Sequence, residues 1–299
     1  MSTKPYPDSY SKKNLRVLVF TATYNESENI SLLVRGIWAG LPHADILVVD
    51  DNSPDGTGPV LDNLAKTYTK LKVIHRPGKL GLGSAHYIAM LYAINNQYDI
   101  LVTMDADLSH DPADIPRLIS KLDGVHFVIG SRYAPGGSCD YTGYRKHISV
   151  IGNVVARTLT GIPLHEFTTS FRVFDIHALS NMKFDWIGNF GYSFFLETVF
   201  RLHQAGLKVR EEPVHFYNRH AGESKIPKLE ILRAIRKVSL LSLSRFLPTS
   251  DHSQSQIVKG RCVYCHGPFL YIPLEHMAAW NSSVQRGAVK CLQCAQDQR

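Results

Sequence analysis

The feature that most constrains the fold is a regular alternation of short apolar segments and longer amphipathic ones, which runs from residue 15 to residue 130. The apolar segments are rich in Val, Ile and Leu and predict strands at 16–21, 45–50, 71–75, 99–104 and 125–130. The segments between them predict helices at 25–40, 56–68, 82–97 and 112–122. Strands separated by helices of this length indicate an α/β fold, with a mostly parallel sheet covered on both faces.

The second half of the chain is less regular. Its predicted elements are a glycine-rich loop at 133–143, helices at 147–159 and 192–205, strands at 168–174 and 207–216, and a basic amphipathic stretch at 227–247. The composition then changes toward Ser and Gln, as in a linker. We therefore divide the chain into a polar lead-in (1–14), an α/β domain (15–248), a linker (249–259) and a cysteine-rich module (260–299).

The formal charge of +7 favours an anionic partner, such as a nucleotide, a lipid phosphate, a membrane surface or a nucleic acid. A merely soluble basic surface fits the charge equally well. No apolar run reaches the roughly 18 residues that a membrane-spanning helix needs. The polar start of the chain also lacks the apolar core of a secretory signal. These features predict a cytoplasmic protein, either soluble or in peripheral contact with the cytoplasmic face of a membrane.

Two aspartates, Asp105 and Asp107, follow the fourth predicted strand. Alternate residues of a strand share a face, so both carboxylates can point the same way. Mg²⁺ and Mn²⁺ take oxygen ligands, usually one or two carboxylates together with substrate phosphates. Such a cation stabilises the charge that builds up on a leaving diphosphate. The pair therefore predicts a metal site for sugar-nucleotide chemistry, with a helix cap or a solvated strand end as the alternative.

Polar residues also follow the first two strands. Asp51 can bind the base or ribose of a nucleotide, whereas Ser53 and Asp55 fit turn and cap roles. Tyr24 offers a ring for a base, and Glu26 offers an acceptor for base N–H groups, although Glu26 also suits a helix start. Ligands of such sheets bind beyond the carboxyl ends of the strands, so we expect these clusters to converge on one edge.

A glycine pair at Gly81 and Gly83 superficially suits a dinucleotide-binding loop. However, His86 stands where the third glycine of that fingerprint would be, and the segment follows the third strand rather than the first. We therefore reject an NAD site and expect a tight helix entry that lets the backbone approach a ligand closely.

Four of the five cysteines form two C-x-x-C pairs near the C-terminus. Two such pairs can supply four thiolates to a tetrahedral Zn²⁺, through Cys262, Cys265, Cys291 and Cys294. In a reducing compartment the pattern favours a structural metal over a disulfide, and a redox dithiol is the alternative. A small zinc-ribbon-like module of this kind can dock a protein partner, bind nucleic acid or stabilise the tail, and the spacing does not choose among these roles.

Eight short segments occur in a fixed order along the chain: TYNESENI, VVDDNSPDGTG, KLGLGSAH, MDADLSHDP, IGSRY, YRKHIS, TTSFR and NRHAGESK. This series resembles the family-two glycosyltransferases of the dolichol-phosphate mannosyltransferase type, which include bacterial polyprenyl-phosphate sugar transferases. The resemblance covers about residues 15–230. It implies the GT-A nucleotide-sugar fold and an inverting, metal-dependent transfer of a hexose, mannose or glucose, from a GDP- or UDP-sugar to a polyprenyl phosphate.

By that resemblance, the donor site lies at the ends of three strands and consists of Ala22, Tyr24, Glu26, Val49, Asp51, Asp105, Ala106 and Asp107. The family usually has Pro in the first of these positions. The matching cationic loop adds Arg219 and Lys225, whose charges suit a diphosphate. Mg²⁺ or Mn²⁺ would be held by Asp107 with Asp105, and by a contribution near Ser109.

The acceptor-phosphate site of the family maps onto Arg132, Arg145 and Ser149. Arg145 and Ser149 are four residues apart, so a helix places them on one face. A lipid monophosphate is already a competent nucleophile, which needs positioning and charge neutralisation more than a general base. Arg132 therefore joins Asp105 and Asp107 as the predicted catalytic residues.

Two departures from the family pattern leave the acceptor open. Glu166 keeps the acid of the family's D-x-T-S-G pattern, but Ser170 replaces its glycine. Many bacterial relatives carry membrane spans after the catalytic domain, whereas here the stretch at 227–247 can lie on a bilayer or pack on its own domain. The alternatives are the same donor chemistry with a soluble, protein or nucleic-acid acceptor, and a non-catalytic sugar-nucleotide sensor with a zinc-ribbon interaction module. A nucleotidyltransferase fits the ordered motifs poorly.

Overall fold

A computed structural model describes residues 15–180, 182 and 193–220, together with the backbones of 259–261 and 268–270. Its strands are β1 (Val17–Thr23), β2 (Asp45–Asp50), β3 (Leu71–His75), β4 (Ile100–Thr103), β5 (Phe127–Ser131), β6 (Ser138–Cys139), β7 (Arg172–Asp175), β8 (Val209–Pro213), β9 (His215–Phe216), β10 (Lys259–Arg261) and β11 (Pro268–Leu270). Its helices are α1 (Ile30–Gly40), α2 (Thr57–Thr67), α3 (Leu82–Asn95), α4 (Ile115–Ser120), α5 (Tyr144–Thr160), α6 (Ile176–Ser180) and α7 (Ser193–Gln204), with a 3₁₀ turn at Pro112–Asp114.

Seven of these strands form one sheet in the order β3-β2-β1-β4-β7-β5-β8. All neighbouring pairs are parallel except those that β7 makes with β4 and β5. The chain adds β2 and β3 on one side of β1 and then places β4 on the other side. Open α/β sheets bind ligands in a crevice at such a reversal, which here falls beyond the carboxyl ends of β1 and β4. The predicted α/β class with a mostly parallel sheet is confirmed.

The core forms because the central strands are apolar on both faces. In β1 the residues 17–20 are Val, Leu, Val and Phe, and none is more than 7% exposed. α1 covers the sheet with Ile30, Leu33, Val34 and Ile37, a spacing that lines one face of a helix. Each such side chain contributes about 1.5–3 kcal/mol when it leaves water. The buried sheet thus gives the polar strand ends a rigid support.

The helix predicted from residue 25 is wrong at its start, because α1 begins at Ile30. Asn25 has a φ of 59°, a left-handed conformation that a helix does not contain. The backbone N–H groups of residues 25–27 instead donate to side chains of the turn after β2, namely Ser53, Thr57 and Asp55. The chain therefore turns between β1 and α1, and these residues are tied to the turn after β2.

The glycine-rich loop predicted at 133–143 follows β5 and contains β6, which pairs in parallel with β9. Gly137 folds back onto the end of β5, and a Cβ atom there would lie 2.5 Å from the carbonyl oxygen of Ser131 and 2.8 Å from backbone atoms of Arg132. Its N–H donates to the carbonyl oxygen of Ala134 at 2.8 Å. Glycine is required at this point, because any side chain would collide with the backbone.

Beyond residue 220 the described backbone is an antiparallel pairing of β10 with β11. The four cysteines predicted to hold zinc, Lys225 and the stretch at 227–247 lie outside the described residues. Their predicted roles and the domain boundaries stay predictions. Among the helices that are described, none combines the length and the apolar character needed to cross a bilayer.

Candidate active site at the carboxyl edge of the sheet

Asp105 and Asp107 lie in the loop that leaves β4, next to the crevice. Asp105 Oδ1 accepts a hydrogen bond from Ser170 Oγ at 2.6 Å, and 34% of the Asp105 side chain is exposed. Asp107 is buried, and its Oδ1 accepts from the backbone N–H and the hydroxyl of Ser109, at 3.1 and 2.5 Å. Ala106 packs into the hydrophobic core between them. Both carboxylates are therefore oriented by a hydroxyl group before any ligand arrives.

Arg219 lies against the second of these carboxylates, with its Nε 2.8 Å from Asp107 Oδ2. Backbone bonds dock the same segment along the loop: the N–H of Tyr217 donates to the carbonyl oxygen of Ser109, and that of His220 to the carbonyl oxygen of Asp107. The structure thus brings together the cation and the carboxylate that the sequence assigned to diphosphate and metal.

Asp51, at the end of β2, is paired with Arg76, which follows β3. The guanidinium group also donates to Ser84 Oγ and to the carbonyl oxygen of Gly81, at the start of α3. Burial raises the pKa of Asp51, and the charge of Arg76 opposes that shift. Burial also lowers the pKa of Arg76, against the opposing charge of Asp51. The pair holds one carboxylate in a fixed orientation at the edge of the crevice.

Four further predicted donor residues lie at or just beyond the ends of β1 and β2. Ala22 and Val49 are partners in the register of β1 and β2, each one residue before the end of its strand. Tyr24 follows β1, and the Lys79 ammonium lies 4.4 Å from the centre of its ring. Glu26 is partly exposed and accepts from the side-chain amide of an asparagine in the same turn, at 2.8 Å. These four residues lie at the carboxyl edge of the sheet, as predicted.

Two other carboxylates of the acidic cluster hold turns. Asp50 accepts from the hydroxyl of Ser53 at 2.5 Å. Asp55 accepts from the N–H of Ser27 and from the N–H and hydroxyl of Thr57. Burial disfavours the charged form, but these hydrogen bonds lower the pKa of Asp55 to about 2. The predicted turn and cap roles of Ser53 and Asp55 match these bonds.

Arg132 follows β5 and forms a buried ion pair with Glu166. Its Nε donates to Glu166 Oε2 at 2.8 Å, and its Nη2 contacts Oε1 of the same carboxylate. Its Nη1 donates to the Tyr141 hydroxyl at 2.8 Å, and the guanidinium lies 4.9 Å from the centre of the Phe216 ring. Burial by itself lowers the pKa of Arg132, but the Glu166 carboxylate raises it above its ordinary value. Arg132 is therefore permanently charged, and its charge is largely compensated within the protein.

The other two predicted acceptor residues lie on α5. Arg145 is in its first turn, and Ser149, which is half-buried, is one turn further on. α5 is attached to the loop that carries Glu166, because Asn153 Oδ1 accepts the N–H of Phe167 at 2.8 Å. The structure thus connects the helix of the acceptor residues with the partner of Arg132 through a short segment.

This arrangement of strand ends is shared with a known family. The sequence profile of glycosyl transferase family 2 matches residues 18–183, which is more than half of the chain. The chain belongs to glycosyl transferase family 2. The prediction that it is a glycosyltransferase is confirmed.

Curated relatives of this family 2 protein include an undecaprenyl-phosphate mannosyltransferase of Micrococcus luteus. The two are 38% identical over 213 residues, which cover 71% of this chain and 88% of the relative. A polyprenol monophosphomannose synthase of Mycolicibacterium smegmatis is 37% identical over 227 residues, which cover 75% of this chain and 86% of the relative.

Solved structures of glucosyl-3-phosphoglycerate synthase from Mycobacterium tuberculosis have the same fold. The complex with Mn²⁺, UDP and glucosyl-3-phosphoglycerate gives a TM-score of 0.54 at 21% identity, over 79% of this chain and 82% of that one. The complex with Mn²⁺, UDP and phosphoglyceric acid gives 0.55 at 20% identity, over 79% and 81%. At this identity the likeness concerns the fold alone, and it confirms the predicted GT-A architecture.

The site of this family 2 glycosyltransferase contains residues to which sequence analysis gave no role. Arg76 is a lone cation in a loop, and its position directly after a strand was the one signal that pointed to the edge of the sheet. Glu166 was noted as the acid of a motif, but its partner Arg132 is 34 residues away. Tyr141 and Phe216 come from two further segments, and no spacing rule links them to Arg132.

Proposed function

We propose that this glycosyltransferase moves a hexose from a GDP- or UDP-sugar to a polyprenyl phosphate, with inversion and with the help of Mg²⁺ or Mn²⁺. The observation that carries the proposal is the contact of Arg219 with Asp107 at the carboxyl edge of the sheet. The guanidinium group of Arg132 lies 4.9 Å from the centre of the Phe216 ring, in the segment that leads to Arg219. The names of the two curated relatives support a polyprenyl phosphate acceptor, and they favour mannose over glucose.

The residues at the crevice fit a hard divalent cation. Asp105 and Asp107 offer carboxylate oxygens, the ligands that Mg²⁺ and Mn²⁺ prefer. Within the described ranges there is no group of three or more His, Cys, Asp or Glu residues that could hold a metal. Asp105 and Asp107 would hold the cation together with the donor phosphates, and it would supply positive charge to the departing diphosphate.

The side chains of the protein then position the two substrates. Tyr24, Asp51 and Glu26 are placed to bind the nucleoside, with Arg76 fixing the direction of the Asp51 carboxylate. Arg219 is partly exposed, so it can turn from Asp107 toward the donor diphosphate. An oxygen of the acceptor phosphate forms the new bond to the anomeric carbon, while the bond from that carbon to the diphosphate breaks. The electron pair leaves with the nucleoside diphosphate.

The acceptor phosphate is proposed to bind at Arg132, Arg145 and Ser149. Because Glu166 compensates Arg132, the proposal relies on Arg145, in the first turn of α5, for further positive charge. A phosphate oxygen needs no general base, and its approach depends on this charge and on orientation.

A direct assay tests the acceptor. Purified protein with Mn²⁺, radiolabelled GDP-mannose or UDP-glucose, and a polyprenyl phosphate should transfer label into the organic phase. Label that enters only water-soluble or protein products would support the alternative acceptors. Donor binding without turnover for every acceptor, in a protein whose Asp107→Asn variant loses that binding, would support the sensor.

A peripheral membrane contact is part of the proposal, at the cytoplasmic face. Among the described residues, most of the exposed large apolar side chains lie on α5: Tyr144, Ile148, Val150, Ile151 and Val154. The positions of α5 that face inward are small or polar instead, such as Asn153, Ala156 and Thr160. Lys146 and Arg157 are exposed on the same helix and suit anionic lipid headgroups. A helix with this pattern fits a bilayer that contains the acceptor lipid.

Vesicle binding tests this contact. Ile151→Ser should weaken sedimentation with anionic phosphatidylglycerol vesicles and raise KM for a long-chain polyprenyl phosphate several-fold, while KM for a short water-soluble prenyl phosphate stays the same. Leu32→Ser, which changes an exposed apolar residue on α1, is the matched control. Equal vesicle binding by both variants would remove the membrane contact from the proposal.

We also propose that Cys262, Cys265, Cys291 and Cys294 hold a structural Zn²⁺ that supports a protein-docking module. Zinc content of the full chain, measured by plasma mass spectrometry, should be one ion per chain and should fall in a Cys262→Ser/Cys265→Ser variant. A metal-free protein of unchanged stability would overturn the assignment.

A further inference from the structure

His110 is buried between the donor and acceptor sides of the site, with only 1% of its surface exposed. Its Nδ1 accepts a hydrogen bond from the backbone N–H of Asp105 at 3.2 Å, and its Nε2 lies 3.4 Å from Thr169 Oγ1. Because Nδ1 acts as the acceptor, the ring proton is on Nε2 and points to Thr169. The ring is therefore neutral and held in one tautomer by partners at opposite ends.

Aromatic contacts fix the plane of the ring. His110 stacks on Phe171 with centroids 4.9 Å apart and an interplanar angle of 27°, and it meets Phe216 edge-to-face at 5.1 Å. Phe216 in turn lies beneath the guanidinium of Arg132, at 4.9 Å. The imidazole is thus wedged between the segment that leads into β7 and the segment that leads to Arg219.

Both of these segments also bind the carboxylate loop directly. Ser170, next to Thr169, donates its hydroxyl to Asp105 at 2.6 Å. The backbone of His110 itself bridges to Phe216 in an antiparallel β-bridge. The side chain of His110 therefore occupies the point where the Asp105 loop, the Thr169–Ser170 segment and the Phe216 segment meet.

We infer that His110 is a positioning residue, whose Nδ1 fixes the backbone at Asp105 and thereby sets the carboxylates of the Asp105–Asp107 loop for the cation and donor diphosphate. The inference rests on the proposed function, because it assigns a task within the same site. A backbone N–H group that loses its acceptor inside the protein destabilises the folded state unless it moves to where water can accept its hydrogen bond. The loop would then shift, and Asp105 with it.

Two substitutions separate this task from simple packing. In His110→Asn the side-chain oxygen takes the place of Nδ1, so the Asp105 N–H keeps an acceptor, but the aromatic stack is lost. In His110→Phe the stack remains, but the acceptor is gone. If His110 contributes packing alone, His110→Phe should exceed His110→Asn in melting temperature, donor affinity and kcat alike. The reason is that Asn leaves a cavity among Phe171 and Phe216.

The experiment measures thermal unfolding, the affinity for GDP-mannose and for UDP-glucose with Mn²⁺ by calorimetry, and kcat with polyprenyl phosphate. We expect opposite rankings: His110→Phe has the higher melting temperature, yet its donor affinity falls roughly tenfold, while His110→Asn keeps donor affinity within about threefold of the wild type. The same ranking in stability and donor affinity would overturn the inference.

The wild-type protein separates a failure of the positioning role from a failure of the proposed function. If it binds and turns over a donor and the His110→Phe variant does so equally well, the positioning role is wrong and the proposed function stands. If the wild type binds neither donor with Mn²⁺, the proposed function fails and the positioning role fails with it.

Discussion

Arg219 and Arg132 each face a carboxylate, but the two ion pairs differ in exposure. Arg219 is 31% exposed, and its Nε contacts one oxygen of Asp107, whose other oxygen is bound by Ser109. Arg132 clasps both oxygens of Glu166, a carboxylate with no exposed surface. We call the Arg132–Glu166 pair the scaffold pair, because the buried Glu166 carboxylate holds the guanidinium group in place. Under the proposed function the same guanidinium group also faces the acceptor phosphate, whereas the more exposed Asp107–Arg219 pair can exchange partners with the donor.

The largest expected effect comes from a substitution that breaks the scaffold pair of Arg132 and Glu166. Glu166→Gln leaves Arg132 as a buried charge without its counter-ion, and we expect a loss of about 3–5 kcal/mol in the free energy of unfolding. Urea denaturation measures it. Asp114→Asn is the control, since its partner Arg117 is 39% exposed and a loss of less than about 1 kcal/mol is expected. Similar losses of stability in both variants would show that the Arg132–Glu166 pair is no more important to the fold than an exposed ion pair.

The opposite signature is expected on the donor side. Asp107→Asn should lower kcat/KM by roughly 10²–10³-fold, because a neutral amide would hold the proposed divalent cation less well than a carboxylate does, while the free energy of unfolding changes by only about 1 kcal/mol. Steady-state kinetics and urea denaturation check the two values. Asp111→Asn, in the same loop, caps the 3₁₀ turn and should leave kcat/KM near that of the wild type. A stability loss as large as that of Glu166→Gln would show that Asp107 is scaffold as well.

A third expectation concerns the pH dependence of stability, which we assign to His86 in the core and not to either ion pair. His86 is buried among Phe20, Phe194 and Phe195, and burial lowers its pKa from an ordinary 6.5 to about 3. Below pH 6.5 His86 is protonated in the unfolded chain but stays neutral in the folded chain. Stability is therefore present above pH 6.5 and is lost progressively as the pH falls toward 3, by about 2 kcal/mol at pH 5.

The His86→Leu variant should flatten this acid dependence, measured as the free energy of unfolding between pH 7 and pH 5. His43→Leu changes an exposed histidine and should leave the dependence as it is in the wild type. An unchanged slope in His86→Leu would place the acid sensitivity in other groups, including the carboxylates of the site.

The smallest expected effect tests whether Arg76 resembles the scaffold pair or the ligand-facing one. Arg76→Lys keeps the charge but loses the fork that reaches Asp51, Ser84 and Gly81 at once. We expect a roughly tenfold weaker donor affinity, with kcat nearly unchanged, by calorimetry and kinetics. Ser84→Ala removes one of these bonds and should give a smaller loss. A fall in kcat alone would contradict a role in donor binding.

Much of the fold was readable from the sequence because its signals are local. The strand of residues 45–50 is predicted and observed with the same bounds, and the helix at 82–97 ends within two residues of α3. The convergence of Tyr24, Asp51 and Asp105 on one edge followed from strand direction alone. Periodicity and parallel connections encode these features within short windows.

The rest depends on contacts between distant segments. α1 begins later than predicted because side chains of the turn after β2 accept hydrogen bonds from backbone N–H groups of the loop before α1. The partners are about 30 residues apart in the sequence. Arg76, Glu166 and His110 each act through a partner from another element. A sequence motif states which residue types are present, but it does not state which of them face each other.

Gly137 limits how this loop can diverge. Because glycine has no side chain, the loop of residues 133–143 can fold back against the backbone of Ser131 and Arg132 at contact distance. Gly137 therefore fixes where this loop turns. A redesign that grafts a foreign loop here must keep a glycine at the same distance from the end of β5. The spacing of this glycine therefore constrains loop exchange as much as the composition of the loop does.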